Sequence, residues 1–495
     1  MNKIASELLR IARNMEASSA EAEIERLMKA ILPSSIWKGR VMAVGGYVRD
    51  QLLGLDAKDL DLVVEGEGGA KEFTHWIKNQ FGNEVSTPRQ LGAGYPIWQI
   101  TFKEDIEFDG EVYETKGGEL EVSDSQKESF PDEDSRQRVT TPGSIADDVE
   151  RRDFTVNMLM KDLSSGELVD LTGTSVSDIQ NGILRGHPGV DFNKILRDDP
   201  LRMMRLIRFQ AKYGWKVPLS VLKIVKANAG RIAIVSAERV REELVKVMKI
   251  GKLAQAVRAM SVVGLLKHIL PEVEALKGVE QTNKGGWHQE GDVFRHTLMV
   301  LKGAKPGVES QMAALLHDIG KPATQERFGE FVKFIGHEVA GGEMAEAMMR
   351  RMKFDNAAVS KVRKLVENHM RPHSLGRMNE GVSEKSIRKF VREVGEELVD
   401  AVLDLAEADS LGTIPSHNEI PDLRERIEDA VKDAPVGGKP ILDGRDVMRI
   451  LGVKPGKDVG RAMGIVQDIM DDAAVKRIPL DKDLAERELL KRWEA

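Results

Sequence analysis

Two aspartates one residue apart, Asp59 and Asp61 in the run LDAKDLDLVVE, are the first residues of the chain whose types and spacing could do chemistry. On a strand, side chains alternate faces, so this pair would project one way while Leu60 and Leu62 point into a core. Converging carboxylates repel, and a hard cation such as Mg2+, which takes a few carboxylates together with phosphate oxygens, relieves that repulsion. Just upstream, Gly45 and Gly46 in VMAVGGYVRDQLLG let a backbone come close to an anion at a helix N-terminus, and Arg49 adds a fixed positive charge. Alone, Asp-x-Asp is a solvated strand edge and Gly-Gly a turn. Within one stretch of seventeen residues they describe a site for a nucleoside triphosphate and its metal.

The elements that must hold these residues follow from the pattern. Across Val41–Glu65, two short apolar runs flank a glycine turn and an amphipathic segment, which reads as strand, turn, helix, strand. KEFTHWIKNQFG reads as a helix and PIWQITF as a strand. The acidic stretch from DIEFDGEVYETKGG onward reads as a hairpin and then a mobile loop, and GELVDLTGTSVSDIQNGILRG as a further hairpin closing this unit near residue 188. Between them lies ADDVERRDFTVNMLM. Arg151 and Arg152 beside Asp153 can clamp phosphate or ribose, with Asp153 holding an arginine fork, and Asn157 can hydrogen-bond a sugar hydroxyl. In KILRDDPLRMMRLIRFQAKYGW, Leu196, Met203 and Ile207 recur at helical spacing as a buried stripe, leaving Asp198, Asp199, Arg202, Arg205 and Arg208 on the other faces.

Charge is unevenly spread. The net value of −7 argues against a nucleic-acid partner, yet residues 185–260 hold 17 Lys or Arg against 6 Asp or Glu, whereas residues 104–150 hold 16 acids against 4 bases. A basic middle on an acidic chain is a footprint for a phosphate backbone. At 41% hydrophobic and 31% charged residues, with no apolar run of membrane-spanning length, the composition is that of a soluble protein without a membrane partner. The charged N-terminal segment reads as one or two helices and not as a signal peptide. The absence of cysteine excludes disulfides and thiolate-bound zinc and fits a reducing cytoplasm.

GGYVRD and KDLDLVV resemble the nucleotidyltransferase signature of the class II tRNA nucleotidyltransferase and bacterial poly(A) polymerase family, and RRDFTVN resembles a second segment of it. The resemblance covers about residues 40–260. It implies a two-metal catalytic pair at Asp59 and Asp61, and a third carboxylate on the strand in ELEVSDSQKESF, at Glu121, although Gln126 stands where the family usually has arginine. By spacing alone, Glu107 and Asp109 compete for that role. It further implies that Gly45, Gly46, Arg49, Arg152, Asp153 and Asn157 bind the nucleotide. Asp199 and Arg202, an acceptor and a bidentate donor one helical turn apart, would read the incoming cytosine or adenine, with Arg205 and Arg208 as further nucleotide contacts.

Of only 10 histidines, His288, His296, His317, His337, His369 and His373 fall within 86 residues. His317 and Asp318 end the apolar helix in QMAALLHDIGKP, His296 lies on the preceding helix, and Asp409 on a later one. WHQEGDVFRHTLM with LLHDIGKP is similar to the HD domain of bacterial CCA-adding enzymes. That likeness implies a metal set of His296, His317, Asp318 and Asp409, with His337 and His369 resembling the ligands of a second metal. Imidazole and carboxylate together suit Ni2+, Mn2+, Zn2+ or Mg2+, and the implied activity is hydrolysis of phosphate ends, including 2′,3′-cyclic phosphates.

The expected fold is α+β, a small mixed-sheet head followed by helices. Residues 1–38 would be N-terminal helices, 39–188 the head, 189–283 a helical neck that selects the base and binds RNA, 284–412 the HD domain, and 413–495 a helical RNA-gripping tail. The expected function is addition of C, C and A to tRNA 3′ ends from CTP and ATP. A poly(A) polymerase or partial CC- or A-adding enzyme, and a chain that is mainly a metal phosphohydrolase, are the alternatives. Monomer and homodimer both remain open.

Overall fold

The computed structural model describes residues 19–91, 97–129, 139–281, 289, 291–329, 331–376, 382–432 and 439–494. The chain divides into two compact units, Met1–Val235 and Ser236–Ala495.

The first unit carries strands β1 (Val41–Val44), β2 (Leu60–Val64), β3 (Arg89–Leu91), β4 (Ile97–Thr101), β5 (Ile106–Phe108), β6 (Glu111–Tyr113), β7 (Glu119–Asp124), β8 (Gln126–Ser129), β9 (Val139–Pro142), β10 (Met160–Asp162) and β11 (Leu168–Val169). Seven of them form one sheet in the order β11-β10-β1-β2-β7-β4-β3, in which β2 and β7 run parallel and the other pairs antiparallel, so the sheet is mixed as expected. Its central strands are apolar on both faces, Val41 to Val44 being wholly buried, because the helix Gly69–Phe81 covers one side with Phe73 and Ile77. The DG turn behaves as its sequence dictates. Asp109 and Gly110, at φ 50° and 79°, close the β5–β6 hairpin as a separate ribbon.

Two expectations change. GELVDLTGTSVSDIQNGILRG is not a hairpin in itself. β11 pairs back onto β10, and Ser175–Asn181 is a helix, because Asp170 accepts from Val176 N at 3.2 Å and Thr172 from Ser175 N at 2.9 Å, an N-terminal cap the strand pattern concealed. The basic helix is two helices, Phe192–Asp198 and Leu201–Tyr213, since Pro200 forces Asp199 into an extended conformation at φ −138°, ψ 94°. Its apolar stripe survives the break, with Leu196, Met203 and Ile207 buried. Of the expected N-terminal helices, Ala20–Ile31 is present; residues 1–18, part of the expected loop at 130–138 and His288 lie outside the described residues.

The second unit is helical apart from the hairpin β12 (Gln325–Phe328) and β13 (Phe331–Phe334). The helices that position the clustered histidines are Val293–Gly303, which carries His296, Val308–Leu316 and Asn356–Asn368, which end at His317 and His369, and His337–Arg351 and Met370–Gly376, with Glu396–Gly412 among them. Gly320 marks their tightest approach. A Cβ there would stand 2.2 Å from the His337 carbonyl oxygen, so only glycine fits. The last helices, Gly444–Leu451, Lys457–Val475 and Lys482–Trp493, close around their own apolar cluster of Val447, Ala462, Val466, Ile469 and Leu489. Among the described residues, no helix is long and apolar enough to cross a membrane.

Candidate functional site

In the first unit, β2 delivers Asp61 and β7 delivers Glu121. The two are register partners on parallel neighbours, so their carboxylates stand side by side on one face. Asp59 corrects the strand reading. It lies just before β2, exposed, at φ 59° in the left-handed region that aspartate tolerates, and its charge still reaches Asp61. Burial pushes the Asp61 carboxyl up to about 6, Glu121 adds to this, Arg152 opposes it and Asp59 contributes last. Such a carboxylate pair, incompletely relieved by one arginine, has the donor set a hard divalent ion requires. Glu107 and Asp109 sit on the separate β5–β6 ribbon, and Glu121 is the acid in register with Asp61.

The row continues across the sheet to residues that sequence reasoning missed. Glu121 faces Gln99 on β4, and Gln99 faces Arg89 on β3. Gln99 Nε2 donates to Glu119 at 3.1 Å and to Glu121 at 3.5 Å, and its Oε1 accepts from Arg89 Nε at 2.7 Å. Only strand order brings these four side chains into line.

Above the carboxylates, Gly45 at φ 72° begins the Gly46–Leu52 helix. A Cβ on Gly45 would lie 3.6 Å from Arg152 Nη1 and one on Gly46 would lie 3.4 Å from Arg49 Nη2, so the glycines leave room for two guanidinium groups. Arg49 is buried, donates to Asn157 Oδ1 at 2.6 Å and pairs with Asp50 at 2.8 Å, under the rings of Phe209 and Tyr213. Asn157 in turn donates to Asp153 Oδ1 at 2.9 Å, and Arg205 Nε donates to Asp153 Oδ2 at 2.6 Å. Burial alone would raise the Asp153 carboxyl, but Arg205, Asn157 and Arg202 outweigh it and hold it below the usual range.

Asp153 therefore does not hold the adjacent arginines. That role belongs to Asp148, wholly buried, which receives Arg151 at 2.6 Å and Arg152 at 2.8 Å. The spacing of three and four residues is a helical ion-pair signal that ADDVERRD displays. Arg202 reaches two backbone oxygens, Ile195 O at 3.0 Å and Arg151 O at 2.7 Å, while Asp199 accepts from Leu201 N at 3.2 Å. Arg208 lies over the ring of Phe209 at 4.3 Å. Thus the expected nucleotide-binding residues Arg49, Asp153, Asn157 and Arg205 form one polar chain, Gly45 and Gly46 border Arg152 and Arg49, and Asp199 stands at the break between two helices.

The raised Asp61 carboxyl has a stability consequence. A folded-state value above the unfolded one means that the folded protein binds more protons between about pH 4 and 6, so stability falls as pH rises through that window. In metal-free protein, Asp61→Asn is expected to raise the melting temperature. The advantage is absent at pH 3.5 and grows to roughly 2–3 kcal/mol above pH 6. Thermal unfolding with a chelator across this range checks it; a wild type that is the more stable at pH 8 sinks it.

In the second unit the histidines converge. His296 Nε2 lies 2.8 Å from Asp409 Oδ1 and 3.4 Å from His317 Nε2; His337 Nε2 lies 3.3 Å from His369 Nε2 and 3.4 Å from Asp318 Oδ1. Two triads result, His296, His317 and Asp409, and Asp318, His337 and His369. The Nδ1 atoms of His317, His337 and His369 sit 2.9, 2.7 and 2.7 Å from the carbonyl oxygens of Ala314, Phe334 and Val366. A carbonyl can only accept, so each Nδ1 carries a proton, and in the neutral ring that metal ligation requires, each Nε2 turns a lone pair inward. The Nε2 atoms of His337 and His369 thus face each other with a carboxylate oxygen beside them, an arrangement that fits a cation. Burial, with the charges of His317 and His337, pushes His369 down to about 3, and Asp318 only partly opposes this. Burial acts against ionisation of Asp318 and Asp409, but their histidine neighbours, with Lys321 at 2.7 Å from Asp318, hold both well below the usual range.

Lys321 and His373 were not assigned from sequence. Lys321 is buried and also donates to Gln281 at 3.0 Å, and His373 Nε2 lies 2.9 Å from Asp409 Oδ2. The triads border a cavity of about 810 Å³ whose walls include Asp318, Lys321, Phe334, His373, Asp409 and Ile420.

Three family models match parts of the chain. The poly A polymerase head domain matches residues 41–185, a domain described as a probable RNA and SrmB-binding site of polymerase A matches residues 216–277, and the HD domain matches residues 293–414. The chain is 32% identical over 440 residues to the A-adding tRNA nucleotidyltransferase of Deinococcus radiodurans, covering 85% of this chain and 89% of that one. It is 30% identical over 436 residues to the CC-adding tRNA nucleotidyltransferase of Thermus thermophilus, covering 85% and 87%. In fold it is similar to the Bacillus stearothermophilus CCA-adding enzyme in complex with CTP, with a TM-score of 0.62 at 19% identity over 96% of this chain and 98% of that one.

Proposed function

The chain belongs to the tRNA nucleotidyltransferase family, with a poly(A) polymerase head and an HD domain, and from that premise we propose that it adds C, C and A to tRNA 3′ ends from CTP and ATP. The observation that carries the reading is the in-register pair of Asp61 and Glu121 beside the glycine turn and Arg152. The terminal RNA hydroxyl attacks the α-phosphorus, the bond to pyrophosphate breaks, and the hydroxyl proton passes to solvent. Asp59, Asp61 and Glu121 would hold Mg2+, which supplies neutralisation of the phosphates and acidification of the attacking hydroxyl. Arg152, held by Asp148, meets the phosphates at the Gly45–Gly46 turn, and Asn157, fixed by Arg49 and Asp153, meets the sugar. Arg202 and Asp199 offer donors and an acceptor to the base edge; each terminal nitrogen of Arg202 carries a second N–H beyond the one given to a carbonyl. The basic middle of the chain and the helical tail hold the RNA through its phosphates.

A second reading has its own support. The two curated relatives are named for adding A alone and CC alone, which favours partial addition as the alternative. Purified protein with Mg2+ decides between them when given tRNA ending before CCA and tRNA ending in CC. Three added residues with both nucleotides is the expected result. Extension of only one acceptor would assign partial addition, and a long A tail would overturn both readings.

For the HD site we propose hydrolysis of terminal phosphates, including 2′,3′-cyclic ones. Its histidine and aspartate ligands would hold Ni2+, Mn2+ or Mg2+, which supplies an activated water for attack on phosphorus. Asp318, kept ionised, and Lys321 set the charge of the pocket, and the buried Lys321 ammonium stands ready for a phosphate oxygen.

A further inference from the structure

The hairpin β12–β13 stands out from the rest of the second unit. Its residues are largely exposed, yet it carries apolar side chains that folding leaves in water or half in water. Phe328 is 52% exposed, Phe331 is 50% exposed, and Ile335 just beyond the strand is 70% exposed. Of the residues on its two strands, only Val332 is buried. Aromatic pairs on a two-stranded ribbon gain little from burial there, so a structural explanation is wanting.

The register gives the pair a shape. Phe328 lies directly opposite Phe331, and Glu326 directly opposite Lys333, so Phe328, Phe331, Lys333 and Glu326 share one face. Lys333 Nζ sits over the Phe328 ring at 5.3 Å. At the other end, Val332, Lys333, Phe334 and Ile335 form a wall of the HD cavity. There Lys321 Nζ lies over the Phe334 ring at 5.4 Å and pairs with Asp318. Val332 and Phe334 alternate to the opposite face, so the path from the two exposed rings to the buried Lys321 ammonium runs through Lys333, which shares the rings' face and also lines the cavity. From Phe331 to Phe334 the ribbon runs about 10 Å.

We propose that this hairpin is a docking platform for the single-stranded 3′ end of an RNA whose terminal phosphate enters the HD cavity, a proposal that rests on the phosphohydrolase reading of that site. Aromatic rings interleaved with cationic side chains suit single-stranded nucleic acid. Any base stacks on a ring whatever its identity, while ammonium groups follow the phosphates. Phe328 and Phe331 stack the bases upstream of the terminus, Lys333 meets the phosphate between them and the terminus, and Lys321 meets the terminal one. A mononucleotide uses only the inner half of the path. The site therefore prefers an oligonucleotide end to a free nucleotide through KM, not kcat.

The test uses the full chain. A single-stranded oligoribonucleotide ending in a 2′,3′-cyclic phosphate, with 4-thiouridine just upstream, is irradiated with the protein and the cross-linked peptide is sequenced. The expected cross-link falls within residues 325–335 and is lost in Phe328→Ala/Phe331→Ala. In Mn2+- or Ni2+-loaded enzyme the same variant raises KM for this oligonucleotide about tenfold or more and leaves hydrolysis of a 2′,3′-cyclic mononucleotide within about twofold. Cross-links elsewhere, or an unchanged KM ratio, overturn the proposal. A variant that loses a self-association measured by analytical ultracentrifugation but keeps the cross-link elsewhere assigns the patch to protein contact. If the wild type hydrolyses neither substrate, the phosphohydrolase reading fails, and the cross-link alone decides the hairpin.

Discussion

Asp61→Asn is expected to abolish nucleotide addition, with a single-turnover rate at least about a thousandfold below wild type, since a metal site supplies several kcal/mol of charge stabilisation and each 1.4 kcal/mol is tenfold. The loss cannot be assigned to unfolding, because the same substitution removes the group whose raised carboxyl costs the metal-free protein stability. Activity and stability should move in opposite directions, which is the trade a catalytic carboxylate makes. Glu121→Gln tests the third ligand. It leaves a side chain of the same shape in register with Asp61 and within reach of Gln99, and its expected loss is about ten- to a hundredfold, with an increased Mg2+ requirement. Glu107→Gln and Asp109→Asn on the separate ribbon serve as controls. If either of these loses more activity than Glu121→Gln in a primer-extension assay, the third carboxylate has been misassigned.

The outline of this site was legible because its parts are local. A glycine turn between two apolar runs and an alternating Asp-x-Asp announce themselves within one stretch, and the structure puts them on β1, the following helix and β2. Asp59 departed from the pattern because the strand begins one residue later and the chain turns through positive φ to enter it, a choice alternation does not encode. What depends on strand order was invisible. Gln99 and Arg89 join Glu121 only because β7, β4 and β3 are neighbours, and no single segment holds that information. Asp148 is a different case. Its spacing to Arg151 and Arg152 was in plain view, but the adjacent Asp153 offered a simpler partner, and only the ion-pair distances tell them apart. In the second unit the histidines were readable from their crowding. Lys321 and His373 were hidden because a lysine or one more histidine near a cluster carries no signal until its distance to Asp318 or Asp409 is known.

The HD site offers the second large effect, and it separates the two chemistries proposed for the chain. Asp318 belongs to one triad through Oδ1 and lies 3.1 Å from His317 of the other through Oδ2, so both sets of ligands meet at this carboxylate. Asp318→Asn is expected to lower phosphohydrolysis by about a thousandfold and to strip bound metal, while tRNA extension stays within about twofold of wild type. This variant also leaves Lys321 without its carboxylate, a buried charge that would destabilise the unit by about 3–5 kcal/mol and confound the result. His369→Gln removes that ambiguity. His369 stays neutral throughout the working range, pushed down to about 3, and it touches the Val366 carbonyl through Nδ1 and the inward-facing nitrogen of His337 through Nε2. Its loss leaves the Asp318–Lys321 ion pair in place. A loss of metal in His369→Gln, measured by mass spectrometry of the intact holoprotein at unchanged melting temperature of the metal-free form, therefore reports ligation and not folding. Full metal content together with full hydrolysis in His369→Gln would mean that the facing Nε2 atoms of His337 and His369 are satisfied by something other than a metal ion, and the two-metal arrangement would have to be abandoned.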